Sequence, residues 1–280
     1  MPRYGIAVNT ENCMECYNCF MACKDEHCGF ATAVSAPQPH TGHKWIRIDS
    51  AERGNDTRKI KTSNVTVMCA HCRNAPCEKA AKNGGVYTRD DGIVIIDPEK
   101  AKGQKELVSS CPIGAIWWNE ELETPQKCTM CAHLLDEGFA KPRCVEACPN
   151  EVLYFGDLDD PGSEINKVIR SGRAAKLTGL EGVDAAVIHL NIPTVFLAGS
   201  VYLPDDEPAD GASVRLTRKK TGESLTALTN YFGDWELEDL EKDEDYEITI
   251  SFDGYLPSKL EAKTDTDKFV GETILRSADR

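Results

Sequence analysis

No cysteine follows Cys148: the last 132 residues have none, and all 13 in the chain lie between Cys13 and Cys148. Also missing is any run of 18 or more apolar residues, so no transmembrane helix is expected. The opening MPRYGIAVNTENC has neither an apolar signal core nor a twin arginine. No export signal is therefore expected, and a cytoplasmic location is. Positive charge is short as well. Against 46 acidic residues stand 32 basic ones, and the net charge of −14 argues against nucleic acid and anionic membrane surfaces as partners. The deficit is uneven: from Phe196 onward 20 acidic and 10 basic residues give −10, leaving −4 for everything before. Glycine-rich phosphate loops, a nucleophile elbow and acid–base pairs are all absent from the pattern. His27, His40, His43, His71, His133 and His189 are scattered, without metal-binding or triad spacing. The chain is expected to hold no catalytic residue and no substrate site of its own.

A chain of 280 residues has room for two domains. Residues 1–157 hold the cysteines, with short strand-like runs (YGIAV, KWIRI, GIVII, AIWW) between them. Asp90-Asp91-Gly92 reads as a hairpin turn, because Asp-Gly tolerates the positive φ of tight hairpins. Residues 158–192 form a connecting segment in which Ser163 can cap a short helix. From 193 to 280, runs such as VFLAGSVYL, ASVRLTRK, DWELEDL and YEITISF alternate or are β-rich, separated by Gly, Asp, Asn or Pro. That pattern predicts an all-β sandwich. The expected class is α+β, a ferredoxin-type domain with repeated cysteine groups followed by an immunoglobulin-like or transthyretin-like sandwich.

The cysteine spacings carry the chemistry. A secreted disulfide framework is the ordinary source of many cysteines, but such domains are small and their spacings loose. Here the first group is Cys13-x2-Cys16-x2-Cys19-x3-Cys23. Three thiolates in one loop can take three corners of a cubane, and in two-cluster ferredoxins the fourth ligates the other cluster. Structural zinc sites instead use ligand pairs joined by a longer loop. The last group, Cys128-x2-Cys131-x12-Cys144-x3-Cys148-Pro149, repeats the motif with an insertion. Exchanging fourth ligands gives one 4Fe–4S cluster on Cys13, Cys16, Cys19 and Cys148, and a second on Cys128, Cys131, Cys144 and Cys23.

The middle group, Cys69-x2-Cys72-x4-Cys77, lacks a fourth cysteine; Ala81 stands at the x3 position. Counting the motif backwards from Cys111-Pro112 puts its partners at Ala101, Gln104 and Leu107. All four positions that would hold one further cluster are therefore non-cysteine, while Cys111, which would complete the cluster of Cys69, Cys72 and Cys77, is kept. The register predicts three 4Fe–4S clusters and one vacated site. Cys28 is left over, either a small buried residue or a reactive thiol. Two roles are open to His71 and His133, beside ligands: tuning a cluster by hydrogen bonding, or packing. Trp45, Trp117 and Trp118 are expected to wall the clusters from water.

CMECYNCFMACKDEH, CAHCRNAPC, DDGIVIIDPEKAKGQKELVSSCPIGAIWWNEE, QKCTMCAHLLDEG and YFGDLDDPGSE together resemble the ferredoxin-type subunits of molybdopterin oxidoreductases in the dimethyl sulfoxide reductase superfamily. The usual pattern there binds four clusters. A three-cluster version followed by a β domain is similar to the small subunits of pyrogallol–phloroglucinol transhydroxylases and of related anaerobic phenol hydroxylases and dehydroxylases. GASVRLTRKKTGESLTALTNYFGDWELEDL also fits the carboxypeptidase-regulatory-like pattern. The resemblance implies a large partner subunit carrying a bis-pterin molybdenum or tungsten centre. It also implies that the cluster of Cys13, Cys16, Cys19 and Cys148 lies nearest that centre, and that the chain is an electron-transfer subunit. A free-standing polyferredoxin, steered by its acidic surface, and an interaction protein with structural clusters are the alternative functions.

Overall fold

YGIAVN forms the strand Tyr4–Asn9, and Ile6, Ala7 and Val8 in it are fully buried. An unbroken apolar run of this kind fits a central strand covered on both faces. The strand pairs antiparallel with Leu153–Asp157 and parallel with Val187–Leu190, and Ala174–Ala175 completes the sheet. Side chains alternate across a strand. Ile6 and Val8 therefore face the cysteine-rich core, while Ala7 packs with Ile165 and Leu190 under the helix Glu164–Ser171. Ser163 caps that helix, its side chain accepting the Asn166 N–H. The computed structural model describes residues 1–278.

Two units make up the chain. The first comprises Met1–Ser50 and Asn64–Ile192; the second comprises Ala51–Ser63 and the chain from Pro193 on. In the first unit the cysteine loops are carried by short elements: helices Asn18–His27, Pro76–Ala80, Ala132–Asp136 and Arg143–Glu146, and two small hairpins. Val86–Thr88 pairs with Val94–Ile96 around the Asp-Asp-Gly turn, where Gly92 has φ 83°. Trp117–Asn119 pairs with Thr124–Gln126. Ile46–Asp56 and Lys59–Met68 form a longer hairpin.

In the second unit, Asp234–Leu240, Val195–Tyr202 and Lys268–Ile274 form one sheet with Val195–Tyr202 central. Ser224–Leu228, Ser213–Arg218, Asp245–Ser251 and Ser258–Lys263 form the other. Alternation sets the inner faces: Val214 and Leu216 are buried around exposed Arg215, and Tyr246, Ile248 and Ile250 point the same way. They meet Leu197, Val201, Trp235 and Leu240 in one apolar core. Arg53 pairs with Asp267 at 2.6 Å, and the same carboxylate accepts the Phe196 N–H at 2.9 Å.

Gly5 shows how tightly the central strand of the first unit is held. A Cβ there would stand 2.5 Å from the Ala186 carbonyl and 2.6 Å from the Leu158 side chain. Gly5→Ala is expected to lower stability by about 1–3 kcal/mol through overpacking, read as a fall in melting temperature.

Candidate iron–sulfur centres

Each cysteine loop turns through a left-handed residue at the same place. Two positions after the first cysteine of a group stand Glu15 (φ 57°), His71 (φ 42°) and Met130 (φ 53°). Such backbone angles are uncommon without glycine and mark constrained sites. Here they bring backbone N–H groups onto sulfur: His71 N–H to Cys69 Sγ at 3.5 Å and Met130 N–H to Cys128 Sγ at 3.3 Å. The Cys-Pro ends turn alike, with Gly114 (φ 61°) three residues after Cys111 and Glu151 (φ 51°) three after Cys148. The Ala115 N–H donates to Cys111 Sγ at 3.3 Å. Cys19 and Cys23 lie one helical turn apart on Asn18–His27, so both thiols leave the same buried face.

Tertiary packing brings these loops together. Burial pushes the Cys19 thiol up to about 12, and Cys148, Cys13 and Cys16 add to the rise. Cys72 is likewise pushed to about 12 by burial, then by Cys69, Cys111 and Cys77. Cys144 is driven well above the ordinary thiol range by burial, then by Cys131, Cys128 and Cys23. Cys19 thus lies near Cys13, Cys16 and Cys148; Cys72 near Cys69, Cys77 and Cys111; and Cys144 near Cys23, Cys128 and Cys131. Neighbours also meet across sets, Cys19 with Cys23 and Cys144, and Cys69 with Cys128. Cys128 thus has Cys69 as well as Cys131 near it, and Cys144 has Cys19 as well as Cys131.

The donor sets fit a polynuclear centre better than a single ion. Among the described residues, no three His, Cys, Asp or Glu side chains converge closely enough to hold one metal ion. Cys69, Cys72, Cys77 and Cys111 instead line one pocket together, with Val94, Ile116 and Lys127. Buried nitrogens without a protein partner stand nearby, including His71 Nε2, Trp45 Nε1 and Trp117 Nε1. All of this is the chemistry of four soft thiolates around an inorganic core with sulfur acceptors.

Where the motif register points to a fourth site, the space is packed. Ala101 and Leu107 are fully buried and share an apolar core with Cys77, Val86, Val94, Ile96 and Ile116, with Ala81 against it. Gln104 is held by the Lys82 N–H (2.8 Å) and donates to the carbonyls of Lys100 (2.7 Å) and Lys82 (3.1 Å). Side chains and backbone hydrogen bonds occupy the positions where ligands would point.

Several residues behave differently from their sequence neighbours. Cys28 is half-buried and joins none of the sets; its Sγ lies 3.1 Å from His40 Nδ1. Trp45 is buried against the His27 ring at 4.9 Å, whereas Trp118 lies under Lys105 at 5.4 Å. His133 pairs with Glu26 at 2.9 Å. Two further residues lie near the thiols. His27 Nε2 lies 3.7 Å from Cys131 Sγ, and burial lowers its ring to about 3, so it is neutral at physiological pH. The i+4 step from Cys23 was the available clue. Lys127, immediately before Cys128, is buried.

Family models match both units. A 4Fe–4S dicluster domain matches residues 60–158, and a carboxypeptidase regulatory-like domain matches residues 197–271. The pyrogallol hydroxytransferase small subunit of Pelobacter acidigallici is 39% identical over 262 residues, 91% of this chain and 92% of that one. A subunit of the tetrathionate reductase of Salmonella typhimurium is 28% identical over 70% of this chain and 75% of its own length. One polypeptide of the anaerobic dimethyl sulfoxide reductase of Escherichia coli is 30% identical over 56% of this chain and 75% of its own. Fold and thiol geometry together define a 4Fe–4S electron-transfer protein. The chain belongs to the iron–sulfur subunits of the dimethyl sulfoxide reductase family of molybdopterin oxidoreductases. No helix among the described residues is long and apolar enough to cross a membrane.

Replacing Gln104 by Leu removes the partner of the Lys82 N–H and of two carbonyls at a part-buried site. Gln104→Leu is expected to cost about 1–3 kcal/mol in chemical denaturation, with iron content unchanged.

Proposed function

We propose that this chain carries three 4Fe–4S clusters in a row and conducts electrons for a large catalytic subunit acting on hydroxylated aromatics. The carrying observation is the grouping of twelve thiols into three adjoining fours. In this reading Cys13, Cys16, Cys19 and Cys148 hold one cluster, and Cys23, Cys128, Cys131 and Cys144 the middle one. Cys69, Cys72, Cys77 and Cys111 hold the third. Bound there, each cubane supplies a one-electron couple whose potential is set by burial and hydrogen bonds to sulfur. The loop N–H groups on Cys69, Cys111 and Cys128 do part of that work, and Trp45 and the surrounding apolar core exclude water.

Packing of Ala81, Ala101, Gln104 and Leu107 supports three centres rather than four. Because that plug adjoins Cys72, Cys77 and Cys111 and no cysteine of the other sets, the row is shortened at one end and its continuity is kept. At the other end Cys16 is exposed, and Met14, Met21 and Tyr17 around it are 66%, 59% and 43% exposed. Exposed apolar side chains beside a terminal centre suit the docking face of the catalytic subunit, which would carry bis-pterin molybdenum or tungsten. The substrate class follows the pyrogallol hydroxytransferase relative. The domains in this reading are 1–157 for the clusters, 158–192 as connector and 193–280 as an acidic docking or spacer sandwich. A cytoplasmic site of action goes with it.

Anaerobic purification with metal analysis tests the scheme. About twelve irons per chain, with molybdenum or tungsten in the co-purifying subunit, are expected; eight or sixteen irons overturn the three-cluster reading. Cys111→Ser should bring the count down to about eight. Met14→Glu with Met21→Glu should weaken association with the large subunit about tenfold or more at full iron content, measured by analytical binding.

A further inference from the structure

Lys127 is 3% exposed, the one buried lysine or arginine among the described residues. Its ammonium donates to the Cys128 carbonyl at 3.1 Å and to the Val94 carbonyl, and no acidic side chain among the described residues pairs with it. An unpaired ammonium in a protein interior costs several kcal/mol, and two carbonyl dipoles do not neutralise it. Its position is nonetheless held from both sides. The Val94 N–H donates to His71 Nδ1 at 3.1 Å while the Val94 carbonyl accepts from Lys127, so one residue of the Val94–Ile96 strand fixes both groups. That bond leaves the His71 hydrogen on Nε2, which is buried without a protein acceptor.

Lys127 lines the same space as Cys69, Cys72, Cys77 and Cys111. Burial thus makes sense only if the negative charge it faces belongs to the thiolate-bound centre. We infer that Lys127 is the built-in counter-charge of the centre held by Cys69, Cys72, Cys77 and Cys111, and that it biases this centre toward its reduced state. The inference rests on the three-cluster reading. One electron taken from a reductant adds one negative charge beside a fixed ammonium in a poorly polarisable interior. The reduced state therefore gains more from Lys127 than the oxidised state does. The bias makes this centre easier to reduce than it would be without the charge. Lys127 acts on the electron acceptor only through space and is a positioning charge, not a catalytic residue.

The test is a dithionite titration of the anaerobically purified complex followed by electron paramagnetic resonance, with iron analysis on every sample. Cys111→Ser identifies which of the three signals belongs to this centre. In Lys127→Met, that signal is expected to need a stronger reductant, its reduction equilibrium falling about tenfold or more, or 59 mV for a one-electron couple. Lys127→Arg, which keeps the charge, should titrate near the wild type. Loss of about four irons in Lys127→Met but not in Lys127→Arg also supports the inference, since the charge is then needed to hold the centre at all. Equal loss in both variants overturns it, because Lys127 is then a packing element. So does an unmoved signal at full iron content, or a shift confined to signals that Cys111→Ser leaves alone. A wild-type count of eight or sixteen irons instead removes the three-cluster reading, before any variant is compared.

Discussion

Thiolates crowded out of water repel one another, and the first unit is organised around that difficulty. Burial and mutual repulsion lift the thiols of Cys19, Cys72 and Cys128 to about 12, so without a positive core they hold their protons at neutral pH. An iron–sulfur core supplies the positive charge and displaces the protons, which couples loading to folding and makes it release acid. The backbone contributes as well. Left-handed turns at Glu15, His71 and Met130 are strained, and the core they surround is what makes them worthwhile. Because those turns aim N–H groups at sulfur, the negative charge on each ligand is partly met before any other side chain is considered.

The rest of the unit serves to hold short loops still. Helices of four and five residues could not stand alone in water; Arg143–Glu146 packs against Asn18–His27 and Leu153–Asp157, and Pro76–Ala80 against Lys105–Ser110 and Val86–Thr88. The positions in register with the cysteine motifs are packed. Ala101 and Leu107 fill apolar positions and Gln104 makes backbone hydrogen bonds, so the interior is dense there and its polar groups have partners. Next to that plug, Lys127 shows the opposite solution. Its charge stays in the interior because something negative faces it.

The sandwich unit obeys different physics. It holds no cysteine, and its stability comes from alternation: Val214, Leu216, Ile248, Ile250, Leu197 and Val201 share a common core, and on the opposite face of Val195–Tyr202 Phe196 and Ala198 pack with Phe269. Ion pairs such as Arg53 with Asp267, and Lys61 with Glu236 and Glu238, tie the tip of the long hairpin into that unit. A break in composition at about residue 193 was visible in the chain; that residues 51–63 group with the second unit was not, since contacts between distant segments leave no local signature.

Spacing alone determined that Cys13, Cys16 and Cys19 act as one loop, that Cys148 follows the Cys-Pro pattern, and that Ala81, Ala101, Gln104 and Leu107 fall in register as a missing site. Motif spacing is legible because ligands to one small inorganic core must be close in sequence or repeat the same loop. β alternation was legible for the same reason, as a local periodicity matched to a pleated backbone. Only the tertiary structure decided that Cys69 and Cys128 come near each other, that Ala101, Gln104 and Leu107 are packed in, and that His27 reaches Cys131. It alone also decided that Lys127 is buried without an acid. Charge and proximity between residues far apart in the chain arise from packing, and no stretch of sequence carries them by itself.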